Sequence, residues 1–267
     1  MKVTAFVGSA RRKHTYHAVK RLLDNLRALG NVETEIVFLS DHHLEICRGC
    51  KLCTDKGEEL CPLKDDRDLL LAKLFASDGV VFATPNYSFN VSGQMKVFLD
   101  RLAFALHRPR GFGKTFSNIV VEGIYRGKEI VNYFDFIGRG LGFNVVKGSL
   151  VKSLEPMTEK ISQRNEKRID RQSRKFYETL VKKSYPVPSL FGLFIFRWGR
   201  TSMREMLDES FRDYTFYRQS GWFENDYYYP VRLGPLKKAV GKMVDWTVSR
   251  GAKKDKAKKV EDQKRRC

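Results

Sequence analysis

The chain has 267 residues, of which 42% are hydrophobic, and its 50 Lys and Arg against 31 Asp and Glu give a formal net charge of +19. This length and apolar content suit one α/β domain with an appended segment and exclude a disordered chain. The longest apolar run, residues 190–196, is too short to cross a membrane and ends at Arg197. The N-terminus shows no signal-peptide pattern, so we expect a cytoplasmic protein.

The positive charge favours acidic partners, but it is concentrated in the second half of the chain, notably in residues 164–175 and 250–266. A solvated helix face and a disordered tail account for such runs. No zinc-finger, helix-turn-helix or aromatic RNA-binding pattern accompanies the charge. We therefore predict no specific binding of nucleic acid.

The first predicted elements are a short buried strand at residues 3–7, a loop of Gly, hydroxyl and basic residues, and a helix that ends near Leu29. A loop of this kind before a helix offers N–H groups, hydroxyls and the positive end of the helix dipole to a phosphate. The candidate phosphate contacts are Ser9, Arg11, Lys13 and Thr15. The alternative is a basic surface loop in which Thr15 caps the helix.

A second strand, residues 33–39, leads into a loop with four of the five cysteines, namely Cys47, Cys50, Cys53 and Cys61. Two-residue gaps between thiols allow several sulfurs to point at one centre, which is typical of iron and zinc sites. The compact run favours a single [4Fe–4S] cluster, because zinc usually uses two separated pairs of ligands. A thiol-rich loop that binds nothing, and zinc, stay as alternatives.

A helix at residues 66–77 and a third strand at residues 80–83 lead into a turn-rich loop, residues 84–93, which a helix at residues 94–102 follows. In an open parallel sheet, the loops at the carboxyl ends of the strands form the ligand crevice. Tyr87 and Phe89 in this loop either pack in the ordinary way or contact a flat ligand.

The fourth strand, residues 117–121, ends in a third loop at the same edge of the sheet. Gly123 is the candidate ligand contact in this loop, and Tyr125 is a weaker candidate. A helix at residues 128–140 and a last strand at residues 144–151 follow. The alternation of strands and helices predicts an α/β fold with a doubly wound, five-stranded parallel sheet.

Three stretches in this order carry a family resemblance: residues 8–15, the cysteine run to Asp66, and residues 84–102. Together they resemble the flavodoxin-like NAD(P)H-dependent FMN reductases and, within them, the iron–sulfur flavoproteins. The resemblance implies a sheet of order 2-1-3-4-5, FMN bound non-covalently, NAD(P)H as co-substrate and a homo-oligomer, either a dimer or a tetramer.

The resemblance also implies roles for particular residues. It assigns the FMN phosphate to Ser9, Arg11, Lys13, His14 and Thr15. It assigns the isoalloxazine ring to the loop Thr84, Pro85, Asn86, Tyr87, Ser88 and Phe89, with Gly123. It assigns a [4Fe–4S] cluster to Cys47, Cys50, Cys53 and Cys61.

We expect an FMN-binding domain at residues 1–152. A mainly helical, aromatic-rich extension follows at residues 153–250, and a basic disordered tail at residues 251–267. A long charged helix at residues 157–183 opens the extension. The aromatic residues of the extension either pack on the first domain or a second subunit, or shield the flavin, or shape a substrate or partner site. With Arg197 and Arg200 they would also permit contact with a membrane surface, which is not expected.

The function that follows is an FMN-dependent NAD(P)H oxidoreductase that passes electrons to a quinone, another small molecule or a protein, with or without an iron–sulfur cluster. The catalytic residues are not identified, because no general acid or base stands out. The alternative is a non-catalytic flavin or iron–sulfur protein that carries electrons between protein partners. Steady-state oxidation of NAD(P)H separates the two hypotheses.

Overall fold

The computed structural model describes the backbone of residues 1–266 and the side chains of residues 1–255. Cys267, the last residue of the predicted tail, lies outside these described residues. The strands are β1 (Lys2–Val7), β2 (Glu33–Phe38), β3 (Gly79–Pro85), β4 (Thr115–Glu122), β5 (Asn144–Val145) and β6 (Ser149–Lys152). The helices are α1 (His14–Leu29), α2 (Leu52–Asp55), α3 (Arg67–Ala76), α4 (Gly93–Arg101), α5 (Ala103–His107), α6 (Gly127–Gly140), α7 (Glu159–Lys182), α8 (Leu190–Met206), α9 (Arg212–Gln219) and α10 (Pro235–Arg266).

The chain forms two compact units, the first comprising Met1–Gly49 and Pro62–Ser184 and the second Cys50–Cys61 and Tyr185–Cys267. Their bounds differ from the predicted domain boundary at residue 152. Helix α7 lies in the first unit because its buried Phe176 and Leu180 join the hydrophobic core of the sheet. Most of the cysteine loop lies in the second unit.

The first unit is built on a parallel sheet of order β2-β1-β3-β4-β5, in which β6 also pairs with β4. The predicted order 2-1-3-4-5 is therefore confirmed. The predicted fifth strand is divided into β5 and β6, so the sheet has six strands rather than five. Between the two short strands the chain bends beside β4, where the Ser117 hydroxyl donates a hydrogen bond to the Val146 carbonyl at 2.8 Å.

Helices cover both faces of this sheet. Successive residues of a strand point to opposite sides, so each strand contributes apolar side chains to both faces. On one face, Val7 and Ala83 pack with α1 and α7. On the other, the Phe82 ring makes edge contacts with Phe98 of α4 at 5.6 Å and with Phe134 of α6 at 5.9 Å. Strands buried on both faces form continuous apolar runs, which is why the sequence pattern located them.

In the interior of the second unit, charged groups join α8 to α10. Arg197 donates to Asp245 at 2.7 Å and also to Asp226, and Arg200 lies 2.6 Å from the same Asp245 carboxylate. Thr201 donates to the second oxygen of Asp245 at 2.7 Å. Both arginines are buried, so they lie inside the unit and not on its surface.

Aromatic rings complete the interior of the second unit. Trp222 contacts Tyr217 and Tyr228, each with ring centroids 4.8 Å apart, and Phe196 of α8 lies 4.5 Å from Tyr228. Burial raises the pKa of Tyr228 to about 12. Part of the predicted aromatic-rich segment is thus a core of the second unit itself.

Helix α10 runs to Arg266, through the segment for which the sequence pattern predicts a disordered tail from residue 251. Lys, Ala and Arg dominate this segment, and all three favour helices. Across the described residues, every helix is too short or too polar to span a bilayer.

Candidate functional site at the carboxyl edge of the sheet

The loop after β1 places hydroxyl and basic side chains before the start of α1. Ser9 and Thr15 are buried, and Arg11 and Lys13 are exposed. Helix α1 starts after Lys13, and no side chain of the described residues caps it, so Thr15 is not the N-cap that the alternative interpretation requires. The first N–H groups of an α-helix have no intrahelical acceptor and attract anions.

His14 opens α1 but has a neighbour of its own. Its Nε2 lies 3.2 Å from Glu155 Oε1. It also lines a cleft of about 290 Å³ between α1 and α7, together with Lys152 and Glu166. The structure thus places His14 beside this cleft, whereas Ser9 and Thr15 lie in the loop and the first turn.

The loop after β3 is fixed by two hydroxyl side chains. Thr84 is fully buried and accepts a hydrogen bond from the Ser92 amide at 3.0 Å. The Ser92 hydroxyl donates to the Gly8 carbonyl and caps α4 by accepting from the Met95 amide at 3.3 Å. Ser92 therefore joins the end of β1 to the loop after β3, a role that the sequence pattern did not reveal.

The tip of this second loop is a tight turn. Tyr87 and Asn90 exchange two backbone hydrogen bonds of 3.0 Å, and between them Ser88 and Phe89 have φ angles of 49° and 64°. Such angles are uncommon for residues other than glycine and are found at functional sites. The turn leaves the Tyr87 and Phe89 rings about half exposed.

The loop after β4 lies beside the same turn. Asn86 donates to the Tyr125 carbonyl at 2.9 Å, and the rings of Phe89 and Tyr125 are 5.0 Å apart. A Cβ atom built on Gly123 would point into open space. Since Arg11 also donates to the Tyr87 hydroxyl at 3.0 Å, side chains link the three predicted loops.

Two further residues hold the third loop and were missed by the sequence pattern. Glu122 is buried at the end of β4, where its carboxylate accepts from the Gly127 amide at 2.6 Å. Lys152 of β6 lies 2.6 Å from Glu122 and donates to the Ile124 carbonyl at 2.6 Å. An acidic residue directly after a buried apolar strand was the available signal, but its partner lies on another strand.

The four cysteines differ in environment. Cys47, in the first unit, is exposed; in the second unit Cys50 is exposed, Cys53 is half-buried and Cys61 is buried. Within the described part of the chain, no three Cys, His, Asp or Glu side chains form a group that could hold a metal ion. The cluster at these four cysteines therefore stays a prediction.

Comparisons with known proteins agree with this geometry. Residues 1–153 match the sequence family described as NADPH-dependent FMN reductase. An iron–sulfur flavoprotein of Archaeoglobus fulgidus is 35% identical over 163 residues, which is 56% of this chain and 72% of the relative. The family that the three sequence motifs resemble is thus confirmed.

Two solved structures share the fold. A flavone reductase has a TM-score of 0.54 at 17% identity, covering 72% of this chain and 67% of its own. RosB, solved with bound 8-demethyl-8-formylriboflavin-5'-phosphate, has a TM-score of 0.51 at 16% identity and covers 88% of this chain and 92% of its own. The predicted flavodoxin-like fold class is confirmed.

Proposed function

The chain belongs to the NADPH-dependent FMN reductase family, and from that premise we propose that it is an FMN-dependent oxidoreductase that passes electrons from NAD(P)H to a quinone, another small molecule or a protein. The observation that carries the proposal is the linkage of three loops at the carboxyl ends of β1, β3 and β4 by the bonds Arg11–Tyr87 and Asn86–Tyr125. Ligands bind at this edge in open parallel sheets.

The residues present suit FMN. The uncapped start of α1, with Ser9, Arg11, Lys13 and Thr15 around it, would hold the phosphate, because N–H groups, hydroxyls and cations are its usual partners. His14 would stay at the margin of this site, beside Glu155. FMN, when bound, supplies the hydride chemistry, and the protein supplies binding and orientation.

The ring would lie against the second and third loops. Thr84, Pro85 and Ser88 would shape the backbone there, and Gly123 would leave room for the ring. The Asn86 Oδ1 atom is buried and has no hydrogen-bond partner among the described residues, so it can accept from an imide N–H of the flavin. The half-exposed rings of Tyr87 and Phe89 would exclude water from the bound ring.

A titration with two ligands tests the assignment of the loops. Riboflavin has the ring of FMN but no phosphate. Thr15→Val should weaken FMN about tenfold and leave riboflavin unchanged, whereas Tyr87→Ala should weaken both. Thr179→Val, at a half-buried threonine of α7, is the matched control and should change neither.

The titration has a clear negative result. Equal affinity for FMN and riboflavin in the wild-type protein would contradict a phosphate site at α1. Oxidation of NADH and NADPH with a quinone, a nitro compound and oxygen as acceptors then identifies the electron acceptor. Absence of turnover with every acceptor would contradict the proposed enzymatic role.

The relative's name, iron–sulfur flavoprotein, supports the prediction that Cys47, Cys50, Cys53 and Cys61 bind a [4Fe–4S] cluster. Because the described residues form no metal-binding group, no step of electron transfer is assigned to a cluster. Iron and sulfide assays on anaerobically purified protein test the prediction. Flavin bands with about four irons per chain would support it, and flavin bands without iron would contradict it.

A further inference from the structure

Helix α8 differs from an ordinary surface helix. Its solvent side carries large apolar residues that are 43% to 61% exposed, while its inner side carries the buried Arg197 and Arg200 beside Leu193 and Phe196. The exposed residues, hereafter the α8 apolar face, are Leu190, Phe191, Phe194, Ile195 and Trp198. A surface helix normally points its apolar stripe inward and its charges outward. The exposed apolar face of α8 is therefore a candidate binding surface.

The α8 apolar face is one continuous stripe. Leu190, Phe194 and Trp198 follow one another at intervals of four residues, which places them one above the other on a helix. Tyr185 and Val187, which precede the helix, are also exposed. The sequence from 185 to 196 contains no charged residue. Three half-exposed aromatic rings and two aliphatic side chains leave roughly 500 Å² of apolar surface, which is near the upper end for patches on monomers.

The buried arginines lock this orientation. Arg197 binds both Asp245 and Asp226, and Arg200 donates to the Asn225 carbonyl at 2.7 Å. A rotation of α8 that buried the aromatic rings would break these charge-assisted bonds and leave charges without partners. The outward position of the apolar side chains is therefore a built feature of the second unit.

We propose that the α8 apolar face docks on the surface of an anionic phospholipid bilayer. Cations lie where the face begins: Lys237 donates to the Pro188 carbonyl at 2.7 Å, and Lys238 beside it is exposed. The chain carries a net charge of +19, and anionic lipid attracts basic surface. Trp and Phe favour the interface between headgroups and acyl chains.

The contact is peripheral. An interfacial helix lies in the plane of the bilayer with its apolar face about 5–10 Å deep, at the boundary of headgroups and acyl chains. Arg197 and Arg200, the cations that the sequence pattern suggested for such a contact, do not take part because they are buried against Asp245. Lys237 and Lys238 take that role.

Co-sedimentation with vesicles tests the proposal on the full chain. The wild-type protein should bind vesicles of phosphatidylcholine with phosphatidylglycerol more tightly than vesicles of phosphatidylcholine alone. Replacing both Phe191 and Trp198 by Ser should weaken binding to the anionic vesicles about tenfold or more. The matched control is Trp246→Ser on α10, where an equally accessible tryptophan (61% exposed, against 52% for Trp198) lies outside the α8 apolar face, and it should bind like the wild type.

Quenching of tryptophan fluorescence by brominated lipids locates the contact. Trp246→Phe should keep the quenching and Trp198→Phe should lose most of it, since Trp222 is buried. Circular dichroism and FMN affinity serve as checks that the variants are folded. Wild-type binding by the double Ser variant would overturn the proposal. So would a wild-type dimer that this variant converts to a monomer without any vesicle binding, because the face would then belong to a second copy.

Discussion

The two units of this chain both bury arginines beside aromatic rings, but they differ in what their helices expose. In the first unit, Phe82 and its aromatic neighbours are fully buried, and Arg67, Arg101 and Arg108 are buried as well. In the second unit, Arg197 and Arg200 are buried and Phe191 and Trp198 are exposed. Burying apolar area stabilises a fold directly, whereas a buried ion pair roughly balances the cost of removing its charges from water. The comparison indicates that the buried ion pairs of the second unit serve mainly to hold the apolar residues of α8 at its surface.

The largest expected effect tests the apolar core of the first unit. Phe82→Ala should lower the free energy of unfolding by about 3–5 kcal/mol, because it removes a fully buried ring and leaves a cavity. Phe136→Ala, at a ring of α6 that is 55% exposed, is the control and should cost less than about 1 kcal/mol. Urea unfolding followed by circular dichroism measures both. Similar costs would contradict the described core.

The next effect tests the charged interior of the second unit. Asp245→Ala should destabilise this unit by about 3 kcal/mol, because two buried guanidinium groups lose their shared carboxylate. A triple variant with Arg197→Met, Arg200→Met and Asp245→Leu should recover most of that loss, since an apolar replacement removes the charges together. Hydrogen exchange in α8 reports both changes.

The exposed Asp255→Ala is the control for Asp245→Ala and should leave the exchange of α8 unchanged. If Asp245→Ala had no more effect than this control, the buried ion network would not stabilise the second unit. If the triple variant were as unstable as Asp245→Ala, the ion network would stabilise the second unit by more than the mutual compensation of its charges.

A pair of cap variants separates stability from binding. Ser92→Ala should cost about 1–2 kcal/mol and weaken FMN severalfold, because Ser92 caps α4 and also binds the Gly8 carbonyl beside the phosphate loop. Ser189→Ala removes the cap of α8, where Ser189 accepts from the Gly192 amide at 3.1 Å, and should leave FMN affinity unchanged. Equal FMN affinity in the two variants would contradict the positioning role of Ser92.

The smallest effect concerns pH. Burial raises the pKa of Asp135 above its ordinary value of 3.8, although the Gly148 amide and Asn118 oppose the shift. The folded state then holds a proton that the unfolded state releases, so stability falls as the pH rises from about 4 through the raised pKa. Asp135→Asn should remove this slope and be more stable above it by up to about 1 kcal/mol. Identical pH profiles of unfolding for the two proteins would contradict the assignment.

Much of the first unit could be predicted from local patterns. The apolar runs at residues 80–83 and 117–121 identified β3 and β4, because a strand covered on both faces shows no polar alternation. The positions of the loops follow, since parallel strands end at one edge of the sheet. The pairing of Glu122 with Lys152 could not be predicted, because it depends on the register of β4 and β6.

The second unit shows the limit of such patterns. Along α8, arginines and aromatic residues both recur at helical spacing, and the sequence does not reveal which side faces inward. Asp245 decides this, and it becomes a neighbour of Arg197 only when α10 packs beside α8. The same holds for the cysteine loop, where Lys56 donates to the distant Ser210 carbonyl at 2.9 Å and the loop joins the second unit.

By itself, the sequence determined the family, the strand order and the loops proposed to bind FMN, because these depend on short runs and on motifs within about a hundred residues. Tertiary structure alone decided that α7 completes the first unit, that Arg197 and Arg200 of α8 are internal and that Phe191, Phe194 and Trp198 face outward. The physical reason is that burial of a charge depends on its partner, and these partners lie far apart along the chain.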